Sequence, residues 1–230
     1  MKCENAYFNW SGGKDSALAL YRVLCSKQFS VKALFTVLKC DSKKIAMHEV
    51  GVDLLRKQAD AIGIPLVPFY FDNKWTGAEY ELAMMRCMRE FKNDDITTAL
   101  FGDLYLEPLR SEREQKCHRV GINSVFPLWG MPTDVVMSEF IQLGFKAIVT
   151  CVDNSVLSEN FIGRIIDNQF ISDLPGNVDI CGENGEYHSF VFDGPIFRRP
   201  VDFRIVRKYS MVFTDSQEHD VSRYTYLELA

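Results

Sequence analysis

The hexapeptide Ser11-Gly12-Gly13-Lys14-Asp15-Ser16 gathers the residue types that grip a phosphate. Adjacent glycines allow positive φ and close backbone approach to a ligand, and the first peptide N–H groups of a helix beginning there have no partner inside it. The helix dipole favours an anion at that end, Lys14 adds a positive charge, and Ser11 and Ser16 add hydroxyl donors. The spacing is not that of the Walker-type loop, which separates its glycines by four residues before Gly-Lys-Ser/Thr. The plainer reading is a glycine turn with a helix cap, since Asp and Ser are ordinary N-cap residues. The setting favours the cradle: the hexapeptide stands between an aromatic-rich run, Ala6-Tyr7-Phe8-Asn9-Trp10, and a helix-forming run over 17–24.

Other groupings also carry chemistry. Gly102-Asp103 follows an apolar run over 96–101, so the carboxylate arrives at the end of a strand; it either serves a site there or caps the next helix. Arg113 shares a helix face with Leu109, Cys117 and Val120. An arginine on an apolar stripe needs a partner, either a structural carboxylate or a phosphate or carboxylate of a substrate. The segment 179–195 packs Glu183, Glu186, Tyr187 and His188 around Gly182 and Gly185. It reads as a solvated polar loop or as the second wall of a site. Its His and Cys spacing is not that of a zinc site.

The elements that must position these groups alternate. Strands are expected over 6–10, 31–38, 66–71 and 96–101, and helices over 17–24, 50–62, 80–91 and 108–120, with Leu55, Ala59 and Ile62 on one face of the second helix. Such alternation predicts an α/β fold with a parallel sheet, whose ligands sit beyond the carboxyl ends of the strands, where the hexapeptide lies. A Pro-, Gly- and aromatic-rich stretch over 126–132 marks a domain boundary, dividing the chain into 1–127 and 128–230. Beyond it the sequence predicts a helix over 133–143, a strand over 145–152, a helix carrying Leu157, Phe161 and Ile165, and short strands near 203–206 and 224–227.

The chain of 230 residues has an apolar fraction of 47% and a charged fraction of 25%, as in ordinary soluble globular proteins. Its net charge of -5 argues against broad nucleic-acid binding, which needs a basic face. Seven scattered cysteines without a C-x-x-C pair suit free thiols in a reducing compartment. The N-terminus has no apolar leader region, and no run reaches the roughly 20 apolar residues of a membrane span. A cytoplasmic protein is expected, with no membrane partner.

Ser-Gly-Gly-x-Asp-Ser resembles the signature of the ATP pyrophosphatases, in which this loop holds the β and γ phosphates and pyrophosphate is the leaving group. Taken in order, residues 7–16, Gly102-Asp103 with Arg113-Glu114, Pro127-Leu128-Trp129 and residues 181–188 resemble the diphthine-ammonia ligase family of ATP pyrophosphatases over nearly the whole chain. The segment 102–107 looks more like that of the bacterial branch. The resemblance implies an adenine-nucleotide α-hydrolase-like (HUP) domain followed by a smaller α+β domain that holds an acceptor pocket. It also implies an AMP-forming ligase: ATP adenylates a carboxylate, pyrophosphate leaves, and ammonia displaces AMP. ATP and Mg2+ are the expected cofactors. The metal ligand is expected to be Asp15, with Asp103 as the other choice.

On that reading Ser11, Gly12, Gly13, Lys14, Asp15, Ser16, Gly102 and Asp103 bind the nucleotide. Phe35 and Val37 at the end of the second strand hold the adenine, with His48 either nearby or a surface residue before a helix. Arg113, Gly182, Glu183, Glu186, Tyr187 and His188 form the acceptor side. Lys14, Asp15, Glu183 and Glu186 are the candidate catalytic residues. The carboxylates suit a cationic group, ammonium or a quaternary ammonium, better than a triphosphate. The acceptor is diphthine on a protein or a small-molecule carboxylate, and assembly into a homo-oligomer is left open. Rival readings are a tRNA sulfur-transfer enzyme, which would need paired catalytic cysteines, and a non-catalytic nucleotide sensor, which would lack the acceptor pocket.

Overall fold

Strand β1 (Glu4–Asn9) runs through the middle of the molecule, with Ala6, Tyr7 and Phe8 almost wholly buried. A strand covered on both faces reads as a continuous apolar run, and its alternate side chains serve opposite layers. Ala6 and Phe8 join one core and Tyr7 the other; on β2 (Phe29–Lys39), Leu34 and Leu38 join the first core and Ala33 and Phe35 the second. The computed structural model describes residues 3–45, 49–214 and 221–230.

Helix α1 (Lys14–Ser26) and α2 (Val52–Ile62) contribute to the first core. Helix α3 (Gly77–Asn93), through Met84, Met88 and Phe91, and α4 (Glu107–Arg119), through Cys117, contribute to the second. Strands β3 (Leu66–Phe71), β4 (Thr98–Leu100) and β5 (Asn123–Val125) complete a five-stranded sheet in the order β3-β2-β1-β4-β5, parallel throughout. The chain moves outward from β1 in one direction to β3 and then crosses to β4 on the other side. The crevice beyond the carboxyl ends of β1 and β4 is therefore the place where such a sheet binds ligands.

The second part contains α5 (Thr133–Gln142), β6 (Lys146–Asp153), α6 (Asn168–Asp173), β7 (Tyr187–Asp193), β8 (Ile205–Thr214) and β9 (Val221–Leu229). Its four strands form an antiparallel sheet in the order β7-β6-β9-β8. The α/β architecture with a second, smaller sheet is the one expected. Two elements differ. Leu157, Phe161 and Ile165 do not share a helix: a 3-10 turn covers Glu159–Phe161, Ile165 bridges to Ile148, and α6 starts only after Asp167, which accepts from Phe170 N–H at 2.8 Å. Residues 187–193, grouped in the sequence with a polar loop, are strand β7, with Tyr187, Ser189, Phe190 and Val191 buried.

Candidate active site

The turn from β1 into α1 is held from behind. Gly12 has φ +76°, and a Cβ there would lie 2.7 Å from Gln58 Oε1 and 2.9 Å from Leu55 Cδ2, so only glycine fits. Gly102, arriving from β4, would place a Cβ 3.0 Å from Ser16 Cα and 3.1 Å from Ser16 N. That approach brings Asp103 beside the first turn of α1. Within the loop Ser11 Oγ donates to Ser16 Oγ (3.0 Å), and Ser16 Oγ donates to Gly13 O (3.0 Å). The sequence left the first N–H groups of α1 without partners; the structure gives one of them, Lys14 N–H, to Ser189 Oγ on β7 at 3.2 Å.

Lys14 itself is 5% exposed, with Nζ 2.7 Å from Asp15 Oδ2 and 5.3 Å above the Tyr187 ring. Burial works against its charge, but Asp15, first among the anionic neighbours, outweighs burial and holds the ammonium above its ordinary range. The Tyr187 ring therefore faces Lys14, and its phenol donates to Ile180 O at 2.6 Å.

The loop before β7 forms the facing wall. Asp179 organises it: Oδ1 accepts from the N–H of Cys181 (2.8 Å) and Glu183 (3.2 Å), and Oδ2 accepts from Thr133 Oγ1 (3.0 Å). Glu186 is buried and accepts from Asp179 N–H (2.9 Å), Asn184 N–H (2.9 Å) and Asn184 Nδ2 (3.0 Å). Burial alone would raise its carboxyl, but these donors prevail and lower it. Glu183 has the opposite balance: burial, reinforced by Asp15, Asp179 and Asp103, pushes its carboxyl up to about 8 against the pull of Lys14. Burial, then Lys14, lowers His188 to about 4, which leaves a neutral imidazole at neutral pH.

These groups line a cavity of about 280 Å³ that includes Ser11, Gly13, Lys14, Asp15, Ser16, Gly102, Asp103, Arg113, Gly182, Glu183, Tyr187 and His188. Glu186 is not among its lining residues. Arg113 finds the partner its apolar stripe demanded: Nη2 donates to Asp103 Oδ1 at 3.1 Å, and Nε lies 3.0 Å from Oδ2 without the alignment of a hydrogen bond. Burial raises the Asp103 carboxyl, with Arg113 opposing.

A second cavity of about 250 Å³ has a largely apolar wall that includes Phe35, Val37, Met84 and Met88. It shares Asn9, Phe101, Leu109 and Arg113 with the first. Phe35 and Val37 thus lie where an adenine was expected, whereas His48 falls outside the described residues.

Sequence reasoning missed Asn9, which donates to Leu100 O across the β1/β4 crevice, and Ser189, Asp179 and Gln58. The alternation of buried residues along 187–193 would have exposed Ser189, and an Asp two positions before Cys181 is an Asx-turn signal. Gln58 carries no such signal, because its partners come from distant segments. All seven cysteines are unpaired. Among the described residues no group of three or more His, Cys, Asp or Glu side chains is arranged to hold a metal, and no helix is long and apolar enough to cross a membrane.

Comparison with known proteins matches residues 5–124 to the model of the diphthamide synthase N-terminal domain and residues 132–224 to that of the diphthamide synthase C-terminal domain. Proteins named diphthine–ammonia ligase are similar along most of the chain. The one from Schizosaccharomyces pombe is 23% identical over 240 residues, covering 95% of this chain but 38% of that protein, so the chain spans well under half its length. The one from Danio rerio is 24% identical over 213 residues, 83% of each chain. The Homo sapiens protein is 21% identical over 215 residues, 83% of this chain and 79% of that one. With both of its domain models matched in order along one chain, the protein belongs to the diphthamide synthase family.

Proposed function

We propose that the protein is an ATP-dependent ligase that joins ammonia to a carboxylate. The carboxylate oxygen attacks the α-phosphorus of ATP, the bond to pyrophosphate breaks, and ammonia then attacks the acyl carbon and displaces AMP. The observation that carries this reading is the pair of joined cavities at the strand-order reversal, one polar and walled by the glycine loop, the other apolar. A nucleotide laid across the junction has its phosphates at the N-terminus of α1 and its base beside Phe35 and Val37, with Arg113 between. Lys14, the loop donors and Arg113 neutralise charge that builds on the phosphates, and no protein nucleophile is required. The names of the relatives support ammonia as the nitrogen donor.

Asp15 Oδ1 and Asp103 Oδ2 are buried at the cavity wall without a hydrogen-bond partner. Magnesium takes one or two carboxylates and completes its shell with water and substrate phosphates, so this pair fits it. When bound, the ion would offset phosphate charge. Glu183 faces the loop from the acceptor side; a carboxylate raised to about 8 is better matched than an ordinary one to removing a proton from ammonium. The acidic lining of that wall suits an acceptor that carries positive charge, either protein-bound diphthine or a small-molecule carboxylate. A sulfur-transfer role fits less well, because Cys181 is buried with its thiol donated to Thr133 O and pushed well up by that burial.

The test is to incubate the protein with ATP, magnesium, ammonium and pools of candidate carboxylates, and to separate AMP from ADP. AMP and pyrophosphate that depend on one pool support the ligase. ADP, or no nucleotide cleavage with any pool, overturns it.

A further inference from the structure

The peptide joining Gly12 to Gly13 is the least restrained link in the loop, because neither residue carries a Cβ. A peptide unit is planar and trans, so the C=O of Gly12 and the N–H of Gly13 point in opposite directions. Rotated by half a turn, the unit would present a carbonyl oxygen to an anion in place of a donor. Something must hold it.

Gly12 O accepts from Val191 N–H at 2.9 Å and from Gln58 Nε2 at 3.1 Å. Gln58 lies on α2 and is completely buried. Its Nε2 also donates to Val191 O at 2.6 Å, and its Oε1 accepts from Trp10 Nε1 at 2.9 Å. An indole N–H can only donate, so it fixes which end of the amide faces Trp10 and leaves both Nε2 hydrogens for carbonyls. One side chain thus ties the end of β1, the glycine turn and the edge strand of the second sheet.

We propose that Gln58 is a positioning residue for the phosphate loop: it locks the Gly12–Gly13 peptide with its carbonyl turned away from the cavity and its N–H available on the anion's side. The proposal rests on the nucleotide reading above, since the anion concerned is the polyphosphate of ATP. A glutamine that served stability alone would, when replaced, weaken every ligand of the site alike.

The test is calorimetric titration of the full chain with ATP and, separately, with adenosine, which has the base and sugar but no phosphate. Gln58→Met keeps the length of the side chain and removes its hydrogen bonds. Trp10→Phe leaves the amide in place but frees it to turn, and serves if Gln58→Met does not fold. ATP affinity is expected to fall roughly 10- to 100-fold in Gln58→Met, as for loss of a hydrogen bond to a charged group, and less in Trp10→Phe. Adenosine affinity is expected to stay at its wild-type value in both. An equal fall for both ligands, or unchanged ATP affinity, overturns the proposal. Wild-type protein that binds neither ligand overturns the nucleotide reading itself and the proposal with it.

Discussion

Glu183 and Glu186 belong to one loop and have opposite surroundings. Glu186 is surrounded by donors, and its carboxylate pins residues 179–186 in place. Replacing it by Gln sets an NH2 group against at least one N–H donor, and a buried unsatisfied group costs about 1–3 kcal/mol. Because its carboxyl is lowered in the folded protein, the stability it contributes is complete above the ordinary glutamate range and lost as pH falls through the native value. Thermal unfolding should therefore show Glu186→Gln less stable than wild type at pH 7, with the gap closing in acid. Glu183 has the reverse sign. With its carboxyl raised to about 8, the folded protein holds a proton that the unfolded chain releases, so wild type loses stability as pH rises from about 4.5 to 8. Glu183→Gln should remove that slope: the variant gains on wild type in melting temperature between pH 5 and pH 8. An unchanged difference at the two pH values would sink the assignment. Nothing in the residue types separates the two glutamates, since the difference arises from backbone donors and neighbouring acids that only the folded loop assembles.

At the scale of elements, the strand-loop-helix unit was legible because each part has its own signal: an apolar run, adjacent glycines, then helix formers. Gly102 was legible as a turn, but its tight approach to Ser16 was not, since that depends on β1 and β4 pairing side by side. A Cβ at Gly102 meets backbone rather than a flexible side chain, so the strand end or the helix start must shift. Gly102→Ala is expected to destabilise the fold by about 1–3 kcal/mol, the usual cost of overpacking, and to weaken ATP binding in isothermal titration. Wild-type stability and affinity together would show that the approach is looser than described. The second part was harder to read. Leu157, Phe161 and Ile165 have helical spacing, yet Gly163 and the Ile148–Ile165 bridge turn the segment into extended chain beside β6. Strand β7 was hidden by the chemical appeal of Glu186, Tyr187 and His188, although the buried residues that follow them have the look of a sheet strand. The short β5 gave no signal, its three residues being polar at two positions.

For the whole molecule, the composition change near residues 126–132 divides the sequence without dividing the core. One hydrophobic cluster runs from Phe8, Trp10 and Leu18 to Phe140, Val149, Tyr187 and Phe190. Helix α1 joins the two parts: Tyr21 packs edge-on against Phe145, Arg22 pairs with Glu139 through Nε at 3.0 Å, and Lys14 N–H is taken by Ser189. The edge of β7 also bonds the glycine turn through Val191. We propose that residues 1–127 and 128–230 unfold as one unit, because separating them would expose the face of α1 and break the support of the phosphate loop. Phe140 gives a clean test. It lies on α5, is 1% exposed, and stacks on Phe145 with ring centroids 4.9 Å apart, far in sequence from Trp10. Truncating it to Ala is expected to cost about 3–5 kcal/mol. In a background where Trp75 and Trp129 are replaced by Phe, denaturant unfolding can be followed by Trp10 fluorescence and by far-ultraviolet circular dichroism. If the core is shared, Phe140→Ala moves both transitions to lower denaturant by the same amount, although Trp10 sits in the other part of the chain. If Trp10 keeps its wild-type midpoint while the dichroism splits into two steps, the parts are independent, and the loop does not depend on the second sheet for its shape.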